Sequence, residues 1–258
     1  MKSAFSTAGL WLRVVMLVAL TTALAIVPLQ SARAGGPPLV TDDTETPGDG
    51  NWEINFATIT THTTGRREFT APDLDINYGW GERVQLKADI SWLVVRPSGE
   101  GTRSGLNSGN FGVKWRFVDQ ANSGFSLSIY PQLEINLSPS SAERGLTEPG
   151  RELFLPLEAA TKIGSFELGA EIGRNLVENG PDEWLGGIVI AHACGPKLDC
   201  LAEVHGTAAE HFQTLVNFGV HWELSDALVL LAAAGRDIGP RSDDSQNLFC
   251  YFGLQVLR

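Results

Sequence analysis

The chain has 258 residues, with 30 Asp or Glu against 19 Lys or Arg, giving a formal charge of −11 at pH 7. That acid excess argues against a nucleic-acid or an anionic-lipid surface, both of which need clustered Lys and Arg. The three cysteines, Cys194, Cys200 and Cys250, lack metal-ligand spacing, so no metal site is assigned to them.

Residues 1–34 read as a secretory signal. Lys2 and Arg13 form a basic leader, Val14 to Leu29 is an apolar run, and Ala32-Arg33-Ala34 supplies the small residues that precede cleavage between Ala34 and Gly35. An anchoring helix is the alternative, but the run falls short of the roughly 20 apolar residues that span a bilayer. Loss of the leader removes three basic residues and no acid, which moves the charge from −11 to −14. Export also places the cysteines in an oxidising space, where Cys194 and Cys200 flank a Gly195-Pro196-Lys197 turn and could close a hairpin disulfide; free thiols are the alternative.

Residues 35–50 are rich in Pro, Gly and acid, and read as a periplasmic lead-in without regular structure. Asp42, Asp43 and Glu45 could hold a hard cation, but without calcium-loop spacing they read as a solvated acidic turn.

From residue 51 to 258 the dominant signal is a period of two. Trp52, Ile54 and Phe56 alternate with Glu53 and Asn55; Leu74, Ile76, Tyr78 and Trp80 alternate with Asp73, Asp75 and Asn77. The clearest run follows, with Val84, Leu86, Ala88, Ile90, Trp92 and Val94 on one side and Arg83, Gln85, Lys87, Asp89 and Ser91 on the other. Residues 96–109 read as a long loop, 110–118 as a strand, and 125–137 as another strictly alternating strand. Strands are then expected at 152–163, from 166, at 184–194, 198–208, 212–224, from 228 to 235, and at 247–258. The 184–194 stretch is apolar on both faces, which leaves its facing open.

Successive strand residues face opposite sides of a sheet, so alternation this strict requires one apolar and one wet environment. Several runs exceed the five or six residues usual in soluble sandwiches and reach the 9 to 11 or so that a tilted transmembrane strand needs. Connections also alternate, short at 79–82, 119–124, 164–165, 195–197 and 225–226 and mostly longer between. That is the habit of outer-membrane barrels, whose periplasmic turns are short and outer loops long. The expected fold is therefore all-β, an antiparallel transmembrane β-barrel of about twelve strands. A secreted soluble β-sandwich binding module is the alternative.

The segment Pro38-Leu39-Val40-Thr41-Asp42-Asp43-Thr44-Glu45-Thr46-Pro47-Gly48, running into Trp52-Glu53-Ile54-Asn55, resembles the opening of the exported barrel family named for the meta-pathway of phenol degradation. The likeness continues through Pro72-Asp73-Leu74, Gly112-Val113-Lys114-Trp115-Arg116-Phe117 and Pro131-Gln132-Leu133-Glu134, covers most of 39–171, and fades afterwards. It implies an outer-membrane barrel, and a passive channel or transporter for small hydrophobic or aromatic molecules as the function.

On a barrel the polar faces project inward. The residues expected to line a pore are Glu53, Asp73, Asp75, Arg83, Lys87, Asp89, Lys114, Arg116, Tyr130, Gln132, Glu134, Glu158, Lys162, Glu167, Glu171, Glu203, His205 and His221. A lumen packed shut by ion pairs is the competing reading. His205, His211 and His221 could meet in a catalytic cluster, but no nucleophile elbow, zinc-binding helix or phosphate loop accompanies them. No catalytic residue and no cofactor is assigned. The expected partners are outer-membrane lipid, a small solute and, during biogenesis, the barrel-assembly machinery.

Overall fold

The computed structural model describes residues 36–209, 211–240 and 245–258; the expected signal peptide, with Ala34 and Gly35, lies outside them. Among the described residues, twelve antiparallel spans follow one another around a closed sheet. They are β1 (Trp52–His62), β2 (Arg66–Trp80), β3 (Val84–Pro97), β4 (Arg103–Leu106 and Ser108–Val118), β5 (Phe125–Ile129 and Gln132–Asn136) and β6 (Arg151–Ile163). The second half comprises β7 (Phe166–Val177), β8 (Glu183–Gly195), β9 (Leu198–Ala208), β10 (Phe212–Ser225), β11 (Leu228–Ile238) and β12 (Leu248–Leu257). Each pairs with its neighbour in sequence. The ring closes where β1 meets β12, from Glu53 opposite Leu257 to His62 opposite Leu248.

Two spans are interrupted, each for a local reason. In β4 the break falls at Asn107, whose N–H donates to the Ser91 carbonyl at 2.9 Å while its side chain donates to Ser91 Oγ at 3.1 Å. In β5 it falls at Tyr130-Pro131, because Pro131 has no N–H to donate. The loop expected over 96–109 is shorter than the sequence suggests, since Trp92 to Val95 recruit Arg103 to Leu106 as pairing partners.

The outer surface is a band of exposed apolar side chains, including Trp80 at 68 % exposure, Ile188 at 62 % and Phe218 at 64 %. A band of that kind running around the barrel is covered by lipid rather than water. The fold is thus the transmembrane barrel that the alternation predicts. Its short-turn end carries the turns after β2, β4, β6, β8 and β10, with the start of β1 and the end of β12; the other, long-loop end carries the longest connections, after β5 and β11, although those after β1 and β9 span three residues. There, residues 137–150 form a short helix, α2 after the α1 turn (Gln120–Ser123), spanning Pro139–Glu143. The same loop drops Leu146 onto the inward-facing Leu93 and Val95.

Candidate functional site: a lumen occupied by the chain's own leading segment

The stretch expected as a periplasmic lead-in lies inside the barrel. It leaves β1 at the short-turn end through Gly50 and Gly48, both at positive φ, 73° and 83°. There the Gly50 N–H donates to the Gly79 carbonyl at 3.0 Å, and a Cβ on Gly79 would sit 1.8 Å from the Gly48 carbonyl oxygen. Glycine near the end of β2 therefore makes room for the crossing segment. The chain then runs inward to Thr41 and folds back. The Gly36 N–H donates to the Thr41 carbonyl and the Leu39 N–H to the Gly36 carbonyl, both at 2.9 Å.

One wall holds this hairpin by charge. Lys114 of β4, 1 % exposed, donates to Asp42 at 2.9 Å and to the Asp43 carbonyl, and lies 3.6 Å from Glu158 of β6. Its ammonium also sits 4.5 Å from the centre of the Tyr130 ring. Arg116 reaches Glu45 at 2.6 Å and the Glu82 carbonyl at 3.0 Å. The acids read as a solvated turn are therefore the acceptors for two lumen cations. Burial alone would push the Asp42 carboxyl up, but the Lys114 and Lys87 ammonium groups and the Lys114 hydrogen bond outweigh it, and Asp42 stays below its ordinary range.

Across the lumen, Glu203 of β9 accepts from the Thr41 N–H at 2.5 Å and the Val40 N–H at 3.1 Å, while Asn217 of β10 donates to the same carboxylate at 3.2 Å. His205 meets Thr41 Oγ1 at 3.3 Å, and His221 Nε2 lies 2.9 Å from the Pro37 carbonyl, so that its N–H donates. The rest of that wall is apolar. Leu39 packs in one cluster with Ala57, Val189, Ala191, Leu201, Val229, Leu231, Ala233 and Tyr251. On β8, Gly187 lets the hairpin tip touch the wall, since a Cβ there would fall 1.9 Å from Thr41 Oγ1.

Above the hairpin, on the long-loop side, a cavity of about 420 Å³ remains. It is bordered by Asp42, Glu134, Glu152, Glu171 and Glu183, with Lys87 as its cation. Glu134, Glu152 and Glu183 also border a cleft of about 300 Å³ that includes Glu148 and Arg151 near the rim. An acid-lined path thus leads from the long-loop end down to the tip of the hairpin.

The residues expected to line a pore fall into several groups. Lys114, Arg116, Glu158, Glu171, Glu203, His205 and His221 surround the hairpin, and Tyr130 stacks under Lys114. Asp73 and Asp75 are buried in the lumen, where Asp75 accepts from Asn55 at 3.2 Å and Asn77 at 3.1 Å and lies 4.0 Å from Lys87. Glu53, Asp89, Gln132 and Glu134 share the inward face of their strands. Lys162 pairs with buried Glu167 at 3.4 Å close to the short turn after β6. Arg83 needs correcting: it lies in the turn before β3, where its carbonyl accepts from the Arg116 N–H at 2.8 Å but its side chain is exposed at the rim. His211 is exposed, away from His205 and His221. Cys194 and Cys200 are joined by a disulfide.

Sequence reasoning missed the hairpin itself, and with it Pro37, Leu39 and Thr41. It also missed Asn217, and Glu152 and Glu183 of the cavity.

Fold and site together define a transmembrane β-barrel whose lumen is occupied by a segment of the same chain. No protein-family model and no curated protein matches the sequence. Solved structures do match in fold. The COG4313 outer membrane channel from Pseudomonas putida F1 superposes with a TM-score of 0.69 at 12 % identity, over 85 % of this chain and 100 % of that one. A KdgM porin in complex with disordered oligogalacturonate gives 0.55 at 13 % identity, and the NanC porin 0.54 at 5 %, each over 79 % of this chain and 98 % of theirs.

Proposed function

We propose that this protein is a passive outer-membrane channel for small solutes, held shut by its own leading hairpin. The observation that carries the reading is the acid-lined path that ends on the hairpin tip at Val40 to Asp42. A purely structural barrel has no need of a continuous polar approach to a segment tethered at Gly48 and Gly50. The likeness in fold to outer-membrane channels supports the reading, as does the resemblance of residues 39–171 to the meta-pathway family. In this reading the short turns and the hairpin face the periplasm and the long loops face outward. A lumen rich in Glu favours cations over anions. The family resemblance supports small aromatic molecules as the solute class.

The test is conductance and solute swelling in liposomes, with empty liposomes as control. The intact protein should give small or rare openings, and deletion of residues 36–46 should give a steady, cation-preferring conductance. A deletion variant that is folded by heat-modifiable gel mobility but impermeable sinks the channel reading. If the open variant passes sugars as fast as phenolic compounds of equal size, the aromatic assignment falls.

A further inference from the structure

Strand alternation turns very few charges outward, and they follow a rule. Among the described strands, every outward Asp, Glu, Lys or Arg is an arginine, and all sit at the long-loop end: Arg67, Arg96, Arg151, Arg174 and Arg236. In a chain of charge −11 that is a marked segregation. We infer that these arginines, apart from Arg174, which Asp182 already engages at 3.1 Å, form a collar that binds phosphate-bearing, acylated lipid of the leaflet on the long-loop side.

Depth comes from β3. Its outward residues Val84, Leu86, Ala88, Ile90, Trp92 and Val94 are all apolar. Ten residue steps, tilted by about 45°, rise roughly 23 Å, close to the full lipid-facing band of such barrels. Arg96 is the next outward residue, so its guanidinium emerges at headgroup depth.

The strongest position lies on β1 to β3. Arg67 is directly opposite Arg96, and His62 is directly opposite Arg67, all three facing outward. Like charges so placed repel and destabilise a sheet unless an anion lies between them. Local acids do not serve: Glu68 pairs with Arg66 at 2.5 Å and Glu100 with Arg103. The same residues, with the tips of the two loops, border a cleft of about 760 Å³. The exclusive use of Arg over Lys suits bidentate grip on phosphate oxygens. An acidic solute bound for the lumen fits less well, because Arg67 and Arg96 face away from the lumen, and their inward neighbours are Arg66 and Glu68, paired to each other, and the buried, apolar Val95.

Native mass spectrometry of the full-length protein, titrated with diphosphorylated lipid A, its dephosphorylated form, or phosphatidylcholine, tests the assignment. Retained adducts should form with the phosphorylated lipid alone, and Arg67→Gln with Arg96→Gln should weaken them roughly thirtyfold at low salt. Lysine at both positions should restore only part. Arg83→Gln, at the opposite end, should change nothing. Should the glutamine pair fail to show heat-modifiable mobility, Arg151→Gln with Arg236→Gln reads out the same collar. Equal retention of the dephosphorylated lipid, unchanged affinity in the variants, or displacement by a soluble acidic oligosaccharide would each overturn the inference. An impermeable barrel would leave it standing, so its failure and that of the channel reading are separable.

Discussion

The two walls of the lumen hold the same hairpin by opposite means. On β4 to β6 the contacts are ionic, centred on Lys114 and Arg116. On β8 to β12 small and aliphatic residues cradle Leu39, with Glu203, His205, Asn217 and His221 as polar exceptions. A charged wall gives direction and reversibility, because its groups can be resolvated; an apolar wall contributes contact area. A hairpin seated between the two is fixed in register by one and in depth by the other.

The sharpest way to break this pairing is on the charged side. Lys114→Ala removes the partner of Asp42 and leaves Glu158, fully buried, facing carboxylates. Breaking a buried pair in this way costs about 3 to 5 kcal/mol. Release of the hairpin should follow, read as new protease cleavage within 36–50 and as raised liposome conductance; Lys114→Ala without either change refutes the ionic anchor.

On the apolar side, Leu39→Ala leaves a cavity among Val189, Leu201 and Leu231 and should weaken docking by about 2 to 3 kcal/mol. Its signature is distinct: faster amide exchange of the hairpin with little change in salt dependence, whereas the lysine variant should lose most of its salt dependence. Gly187→Ala asks whether close approach matters, since the new methyl collides with Thr41 Oγ1. A displaced tip with a cost of about 1 to 3 kcal/mol is expected, seen as loss of amide protection at Thr41 while the barrel stays heat-modifiable.

The smallest effect is that of pH. Asp42 lies below its ordinary value of 3.8 when docked, so its contribution is complete above that value and disappears as pH falls through the depressed one. Amide protection of the hairpin should be flat from pH 8 to about pH 5 and decline only below about pH 4 for this group. Loosening near pH 6 would mean that another group controls docking.

The same contrast explains what could be read from sequence. Strands β3 and β5 announce themselves because their inner faces carry Lys87, Asp89, Ser128 and Glu134 while their outer faces are apolar. Strand β8 does not, because Val189 and Ala191 face inward against Leu39 and Ile188 and Ile190 face outward. An apolar residue meeting lipid and one meeting a hairpin look the same in a sequence. The number of spans and the alternation of loop lengths were legible since they depend on local pattern alone. The lodging of residues 36–46 was not, since it arises from contacts far apart in sequence, 71 residues from Glu45 to Arg116 and 162 from Thr41 to Glu203.

The tether at Gly48 and Gly50 makes the hairpin a ligand that cannot diffuse away. About nine extended residues separate Gly50 from Thr41, a reach of roughly 30 Å, so a displaced tip remains within the volume of its own barrel. Short flexible tethers of this kind maintain an effective concentration in the millimolar range. Any solute that opens the path by competing for Lys114 or Glu203 therefore meets a resident rival at that concentration. A synthetic peptide of residues 36–46 would have to approach it before reclosing a barrel from which the segment had been deleted.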